Sequence, residues 1–365
     1  MNLQRILTSW SIRQKLLLLL LVIFLPALGI IVAAGLHERH DAILKAQANA
    51  SLLAQSLAAQ QDQIANSTKT MLSVLAQLRQ VQSLDAPACN ELFRELKLRY
   101  PFYSTISAVT PDGNLFASSE PFQPGINLSD RKHIQDAIRT LDFSAGEYIV
   151  GRVSKVNSLN FTFPVLDAHK KLVAILIAGL NLNEFSHFIS TANLPEGSAV
   201  VFTDYRGIRL YRLPEHEATA IGEPATQGFF ASISGQAEEG LFEWTGPDGV
   251  ARINAFKQLR LKRDLPPYLY ITVGLPKDRI LQAANLDMLR NLAFLGITIL
   301  LALSLAWVFG NLGIIQPVNR LVEATQRFGQ GEMEARTGLP HSPDELGRLA
   351  RSFDDMAALL ERRNL

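Results

Sequence analysis

Two strand-like stretches of this chain carry polar side chains in alternation. Between Glu147 and Ser154, Tyr148, Arg152 and Ser154 share one parity against Ile149 and Val153. From Leu159 to Leu166, Asn160 and Thr162 oppose Phe161, Phe163 and Val165. Alternation on a strand sends the two sets to opposite faces. An apolar face can then pack on the rest of the fold and leave a polar face over a cup. Arg131 and Arg152 have the forked donors that hold a carboxylate or a similar anion. Tyr148 and His133 add aromatic and hydrogen-bonding surface. The competing reading is a solvated sheet face with surface arginines.

Other chemistry is thin. His37 and His40 lie one helical turn apart beside Glu38 and Asp41, a metal-capable spacing that also suits a polar rim next to a membrane, the reading favoured here. No nucleophile motif, Gly-rich phosphate loop or paired-Cys site is present, so no cofactor or catalytic group is expected. The single cysteine, Cys89, excludes an intrachain disulfide. A net charge of +1 with 19% charged residues gives no basis for nucleic-acid binding. Hydrophobic residues make up 48% of the chain and mean hydropathy is +0.11, which fits membrane-spanning segments.

The elements that must position the polar set are legible. From Leu36 to Ala86 there is neither Gly nor Pro. Leu52, Leu53, Leu57, Ile64, Met71, Leu75, Leu78 and Val81 recur near helical spacing, which predicts a spine helix of roughly 50 residues, some 75 Å long. Beyond Pro101 strands and turns take over. Ser104–Thr110 and Leu115–Ser118 flank Pro111-Asp112-Gly113 as a hairpin. Ser129 is expected to cap a helix carrying Ile134, Ala137, Ile138 and Leu141. Strands follow at Glu147–Ser154, Leu159–Leu166 and Leu172–Leu180, and a helix begins near Asn183. The arrangement then recurs: a hairpin at Ala199–Thr203 and Gly207–Arg212, a helix at Gln227–Gly235, and strands at Leu241–Trp244, Ala251–Leu259 and Tyr268–Gly274. Two successive units hung on one helix predict tandem modules.

Two apolar segments bracket this region. The first, 16–36, matches the thickness of a bilayer core. Arg5, Arg13 and Lys15 precede it with no acidic residue, which places residues 1–15 in the cytoplasm. An uncleaved anchor is preferred to a signal peptide because the apolar run is long. The second, 290–316, is uncharged from Leu292 to Ile315. Two spans put 37–286 outside and the remainder inside.

After Pro317, Val318, Leu321, Thr325 and Phe328 step by three and four. Leu346, Leu349, Phe353, Met356 and Leu360 do the same, the a/d pattern of a coiled coil. Gly329 and Gly331 end the first helix. Ser342 and Glu345 read as a capping box, with Pro343 at the first helical position. Short helices with one apolar seam need partners, so a homodimer is expected.

Pro317, Gly331, the Asp344-Glu345-Leu346-Gly347 run, Phe353 and Met356 closely resemble a HAMP linker, a parallel four-helix bundle made by two copies of a helix–connector–helix unit. Asp354 stands where many such linkers have Asn. The region 37–286 resembles the double Cache sensor domain, two PAS-like modules on a stalk helix, through Ser129-Asp130-Arg131-Lys132-His133-Ile134 and Gly146-Glu147-Tyr148-Ile149-Val150-Gly151-Arg152-Val153. Such domains precede sensor histidine kinases, diguanylate cyclases and chemoreceptors. The resemblance implies a ligand in the cup of the membrane-distal module, about 100–190, with the proximal module at about 197–275. It makes Arg131 the leading contact. It also places Asn181 where an acidic residue would meet an amino group, and His133-Ile134 where an aromatic pair is expected. Those departures argue against an amino acid and leave a carboxylate or other small anion.

The fold class expected is therefore an α+β membrane protein: a long stalk helix, two PAS-like antiparallel sheet modules, two transmembrane helices and a HAMP unit at 317–362. The function expected is sensory input from outside a bacterial inner membrane, relayed through Pro317, Gly331, Glu345, Leu349, Phe353 and Met356. No kinase, cyclase or chemoreceptor output motif follows, so the output is expected in a longer chain or a cytoplasmic partner. The rivals are a dimerising anchor that senses nothing and a tethered extracytoplasmic enzyme.

Overall fold

A computed structural model describes residues 12–184 and 194–364. It divides into two compact units, His40–Gln282 and the pair of segments Met1–Arg39 and Ala283–Leu365.

The spine is α1, Ile12–Leu75, followed by the short α2, Arg79–Gln82, and by α3, Ala86–Arg99. The sequence reading carried the spine to Ala86 and omitted α3. Asp85 ends the run by capping α3: its Oδ1 accepts from the Ala88 amide at 3.2 Å, and Pro87 occupies the first turn. Leu84 turns the chain at a left-handed φ of 55°. Of the expected row, Leu57, Leu75 and Val81 are buried and Leu53, Ile64, Met71 and Leu78 pack against the core, while Leu52 is exposed. Ala46, Ala50, Ala54, Ala58 and Ala65 are buried beside them. Small residues let the sheets approach the helix backbone closely.

Each module is a five-stranded antiparallel sheet. The first has the order β2-β1-β5-β4-β3, from β1 Tyr103–Val109, β2 Leu115–Ser118, β3 Ser144–Val150, β4 Asn157–Leu166 and β5 Leu172–Asn181. The second repeats it as β7-β6-β10-β9-β8, from β6 Ala199–Asp204, β7 Arg209–Leu213, β8 Glu239–Thr245, β9 Ala251–Leu259 and β10 Leu269–Pro276. A helix sits at the same place in each order, α4 (Lys132–Thr140) and α5 (Gln227–Ile233). The tandem expectation is met. Of the helix expected near Asn183, only a 3₁₀ turn, Leu182–Glu184, is described; the rest lies outside the described residues.

One face of both sheets joins the spine in a single core that includes Leu72, Phe161, Leu176, Ala255 and Ile271. The other face of the first sheet meets α4 through Ile134, Ala137, Ile175 and Ile177. The other face of the second meets α5 through Ile233, Phe256 and Tyr270.

The second unit holds the N-terminal part of α1 and α6 (Lys277–Gly310), α7 (Gln316–Gly329) and α8 (Glu345–Asn364). Two helices, α1 and the run from α6, are long and apolar enough to cross a membrane. They approach closely at Gly35, where a Cβ would lie 2.7 Å from Met288 Sδ. Between α6 and α7, Asn311–Ile315 forms a π turn, with the Gln316 amide bonded to Asn311 O. Pro317 accounts for it: its ring cannot sit against the carbonyl four residues back, and a widened turn relieves the clash.

Candidate functional site

The cup of the first module is built by β4, β5 and β1. Along β4, Leu159, Phe161 and Val165 go to the spine core, and Ser158 and Asn160 line the cup, as alternation predicts. The cup is a cavity of about 20 Å³, room for a water-sized group. Gly179, directly across the sheet from Asn160, keeps its floor open, since a Cβ there would lie 2.8 Å from Asn160 Oδ1.

Arg131, His133, Arg152 and Asn160 line this cavity together. Tyr148 and Asn181 are placed elsewhere. β3 has a register shift between Ala145 and Tyr148, and that bulge inverts the expected parity. Ile149 faces the cup, while Tyr148 packs against the spine core and donates its hydroxyl to Asn157 Oδ1 at 2.8 Å. The strand also ends at Val150, so Gly151, Arg152, Val153 and Ser154 reach the cup as a turn, whatever their parity. Asn181 ends β5, where its Oδ1 accepts from the Asn183 amide at 3.1 Å.

The Arg152 fork is already engaged. It makes two bonds of 2.7 Å to Asp130 and one of 2.5 Å to Asn127 O, so Asp130 rather than a ligand takes its charge. The hydrogen bond from Arg152 outweighs the effect of burial and holds the Asp130 carboxyl below its ordinary value. Arg131 is only 4.0 Å from that same carboxylate, and its buried Nε has no hydrogen-bond partner among the described residues. The cup thus keeps one cation in excess. Ser129 does not cap α4: its amide and hydroxyl bond Asn127 Oδ1, and the N-cap is Arg131, without a side-chain bond.

His133 is buried, and burial followed by the charges of Arg131 and Lys132 pushes its imidazole down to about 3. It is neutral at physiological pH. With the Asn160 amide donating to Nε2 at 3.4 Å, the proton sits on Nδ1. Nδ1, Asn160 Oδ1 and Ser154 Oγ share the unpartnered state of Arg131 Nε. Three donors and one acceptor without partners therefore belong to residues that line one small cavity. Ser154, expected with Arg152 on the polar parity, does reach the cup, through the turn rather than the strand. Asp130 was not among the expected contacts, though it is legible as the acid next to Arg131.

The residues expected to relay a signal assemble in part. Phe353 meets Phe328 edge-on at 6.0 Å, and Leu321, Ala324, Ala350 and Ala357 are buried between α7 and α8. Leu349, Met356 and Leu360 are exposed at 56%, 45% and 40%. Gly331 takes a φ of +99° after α7 ends. The expected capping box is corrected. Glu345 is the first residue of α8, and Asp344, not Ser342, caps it by accepting from the Gly347 amide at 2.9 Å. Asp354 clamps the connector, accepting from Thr337 N at 2.8 Å, Thr337 Oγ1 at 2.9 Å and His341 Nε2 at 3.0 Å.

Residues 312–362 match the HAMP domain family. A protein of Bacillus thuringiensis subsp. konkukian assigned as a methyl-accepting chemotaxis protein is 34% identical over 86 residues, 24% of this chain. The match spans about 13% of that relative's length. Among solved structures, the extracellular domain of rpHK1S-Z16, assigned to the histidine kinases, is similar with a TM-score of 0.57 at 20% identity, over 66% of this chain and 98% of that one. The ligand-binding domain of the Pseudomonas fluorescens chemoreceptor CtaA, solved with L-isoleucine, gives 0.52 at 13% identity, over 67% and 98%. At these identities the likeness is one of fold, and the chain carries a double Cache-like fold followed by a HAMP domain.

Proposed function

We propose that this chain is the input half of a transmembrane signalling protein of the bacterial inner membrane. Segments 16–36 and 290–316 span the bilayer, 37–286 lies outside, and both termini are cytoplasmic. A small ligand enters the cup of the first, membrane-distal module. The observation that carries this reading is the group of unpartnered buried atoms on Arg131, His133, Ser154 and Asn160 in one cavity. Buried polar groups without partners cost roughly 1–3 kcal/mol each, and a ligand with a carboxylate or similar oxyanion satisfies donors of this kind. CtaA holds L-isoleucine on the same fold; here Asp130, the acid beside the cup, is held by the Arg152 fork and His133 is neutral, which favours an anion without an amino group.

Entry of such a ligand widens a cavity of only about 20 Å³ by moving the 151–154 turn. A second copy of the chain covers the Leu349–Met356–Leu360 edge and completes a HAMP bundle, whose two packings the ligand biases. The output is a kinase, cyclase or chemotaxis module in the same protein or in a cytoplasmic partner.

The test is a thermal-shift screen of small carboxylates and amino acids against the full chain in lipid nanodiscs, with Arg131→Gln as the discriminating variant. Truncating one partner of a buried charged contact costs about 2–5 kcal/mol, so binding weakens roughly 30-fold or more. A ligand that stabilises the wild type and a folded Arg131→Gln chain alike removes the cup from the reading.

A further inference from the structure

The second module contains a larger cavity, about 190 Å³, that the sequence reading did not single out. It opens on the sheet face turned away from the spine. Arg212 on β7, Val201 on β6 and Thr272 on β10 are cross-strand neighbours in a row. Arg252 and Asn254 lie on the same face of β9 as Phe256, which packs toward α5. Gly274 stands opposite Asn254 and makes the space, because a Cβ there would lie 2.9 Å from Arg252 Cδ and closer still to Asn254 Oδ1.

Three arginines line this cavity, and all are buried: Arg209, Arg212 and Arg252 are 5%, 7% and 4% exposed. The acids that face them are fewer. Asp248 is held by the Arg252 fork at 2.9 and 2.6 Å, which keeps its carboxyl down at about 2. Arg212 Nη2 stands 3.6 Å from the same carboxylate, too far for a hydrogen bond. Glu223, at the exposed rim, acts on Arg209 through space. Positive charge is therefore in excess in a walled site. Arg212 Nε and Nη2 and Thr272 Oγ1 are buried with no hydrogen-bond partner among the described residues. A guanidinium taken out of water and left unbonded is costly, and such groups are ordinarily paired. Two nitrogens of one planar fork fit the two oxygens of a carboxylate. The opposite wall is aromatic, Phe229 edge-on to Trp244 at 6.0 Å, which suits a carbon skeleton better than a bare inorganic anion.

We propose that the second module is a receptor site of its own for a small organic carboxylate, held by Arg212 and Thr272 between Arg209 and Arg252, with its carbon skeleton against Trp244 and Phe229. The strand that carries Thr272 ends at Pro276, and α6 starts at Lys277. An occupant of this site acts one strand away from the helix that leads to HAMP. The proposal stands independently of the ligand assigned to the first module.

The experiment is calorimetric titration of the full chain in nanodiscs with propionate, succinate and benzoate, and with inorganic phosphate and sulfate as non-carbon oxyanions. At least one carboxylate is expected to bind. Arg212→Gln should weaken it at least roughly 30-fold, about 2 kcal/mol at 1.4 kcal/mol per tenfold, while Arg131→Gln leaves it unchanged. Thr272→Val and Trp244→Leu should each weaken it without loss of fold, and they decide the matter if Arg212→Gln does not fold. Binding that survives the folded variants, that depends on Arg131 instead, that is confined to phosphate and sulfate, or that is absent for every carboxylate at tens of millimolar overturns the proposal.

Discussion

The Tyr148 amide donates to Asp204 Oδ2 at 3.1 Å, joining the last turn of β3 in the first module to the β6–β7 corner of the second. Asp204 is fully buried, and its Oδ1 also accepts from the Arg206 and Ile208 amides at 2.9 Å each. Arg206 returns a bond to Tyr148 O at 3.3 Å, and Tyr205 donates to Glu147 at 2.9 Å. The turn at 151–154 that walls the first cup begins one residue after this strand ends. A movement of that turn therefore has a bonded route into the second module.

Removing the carboxylate should break the route. Asp204→Ala leaves the Tyr148, Arg206 and Ile208 amides without their acceptor. At roughly 1–3 kcal/mol for a buried unsatisfied group, with water replacing part of the loss, the chain should be destabilised by about 3 kcal/mol. Asp204→Asn keeps an acceptor oxygen and should cost less. Denaturant unfolding of the solubilised chain reads both. Equal stability of all three forms would show that the corner is held by other contacts.

How far the fold was legible depended on regularity. β4 is paired on both sides and alternates without interruption through Asn160, so its cup face could be read from the string. β3 could not, because a bulge moved Tyr148 to the far side, and a bulge is set by the neighbouring strand as much as by its own residues. The spine was legible as a helix, and its apolar row apart from Leu52 does meet the core; the alanines buried beside it carry little periodic signal, since closeness of packing as well as hydrophobicity decides at a helix–sheet contact. The arginines of the second module were visible: Arg209, Arg212 and Arg252 are charges inside strands that are otherwise largely buried.

His133 should give the chain a pH dependence of definite sign. Its folded value, about 3, lies below the ordinary value near 6.5 that it regains on unfolding. Between those two values the unfolded chain binds a proton that the folded chain does not. Stability is therefore complete above about pH 6.5 and is lost as pH falls, by up to about 1.4 kcal/mol per pH unit for one group. His133→Gln should flatten this part of the profile. The difference between the two chains, measured by unfolding at pH 7, 6 and 5, isolates His133 from the other histidines; parallel profiles would mean that His133 is protonated in the folded state.

Topology can be checked by labelling. Gln123 is exposed in the first module and Arg362 is exposed near the end of α8, whereas the native Cys89 is buried. In intact cells an impermeant maleimide should label Gln123→Cys and spare Arg362→Cys until the membrane is opened. Labelling of both, or of Arg362→Cys alone, would contradict the arrangement.

Gly347 tests the connector. A Cβ at this position would lie 2.6 Å from Ser342 N and nearer still to Ser342 O and Oγ. Two of the three obstacles are backbone, so Gly347→Ala must move the connector or the Asp344 cap. A lower unfolding temperature for the HAMP region is expected, and Ser342→Ala should not rescue it. Rescue by that second change would place the clash on the hydroxyl alone.

The seam on α8 sets the last test. Leu349, Met356 and Leu360 are exposed on the single chain and step by whole turns, as an edge does when a second copy is to cover it. One inserted residue rotates everything after it by about 100°, and seven restore the phase of a heptad. Residues 1–362 fused to a kinase or cyclase core that works only as a dimer should give an output that responds to ligand. One residue inserted after Leu360 should change or invert the basal level, and seven should return it. Leu349→Asp should uncouple output from ligand while ligand binding stays intact, because a charge in the covered edge opposes the paired state. An output indifferent to the one-residue insertion and to Leu349→Asp, in chains that insert and bind, would reduce α8 to a tether.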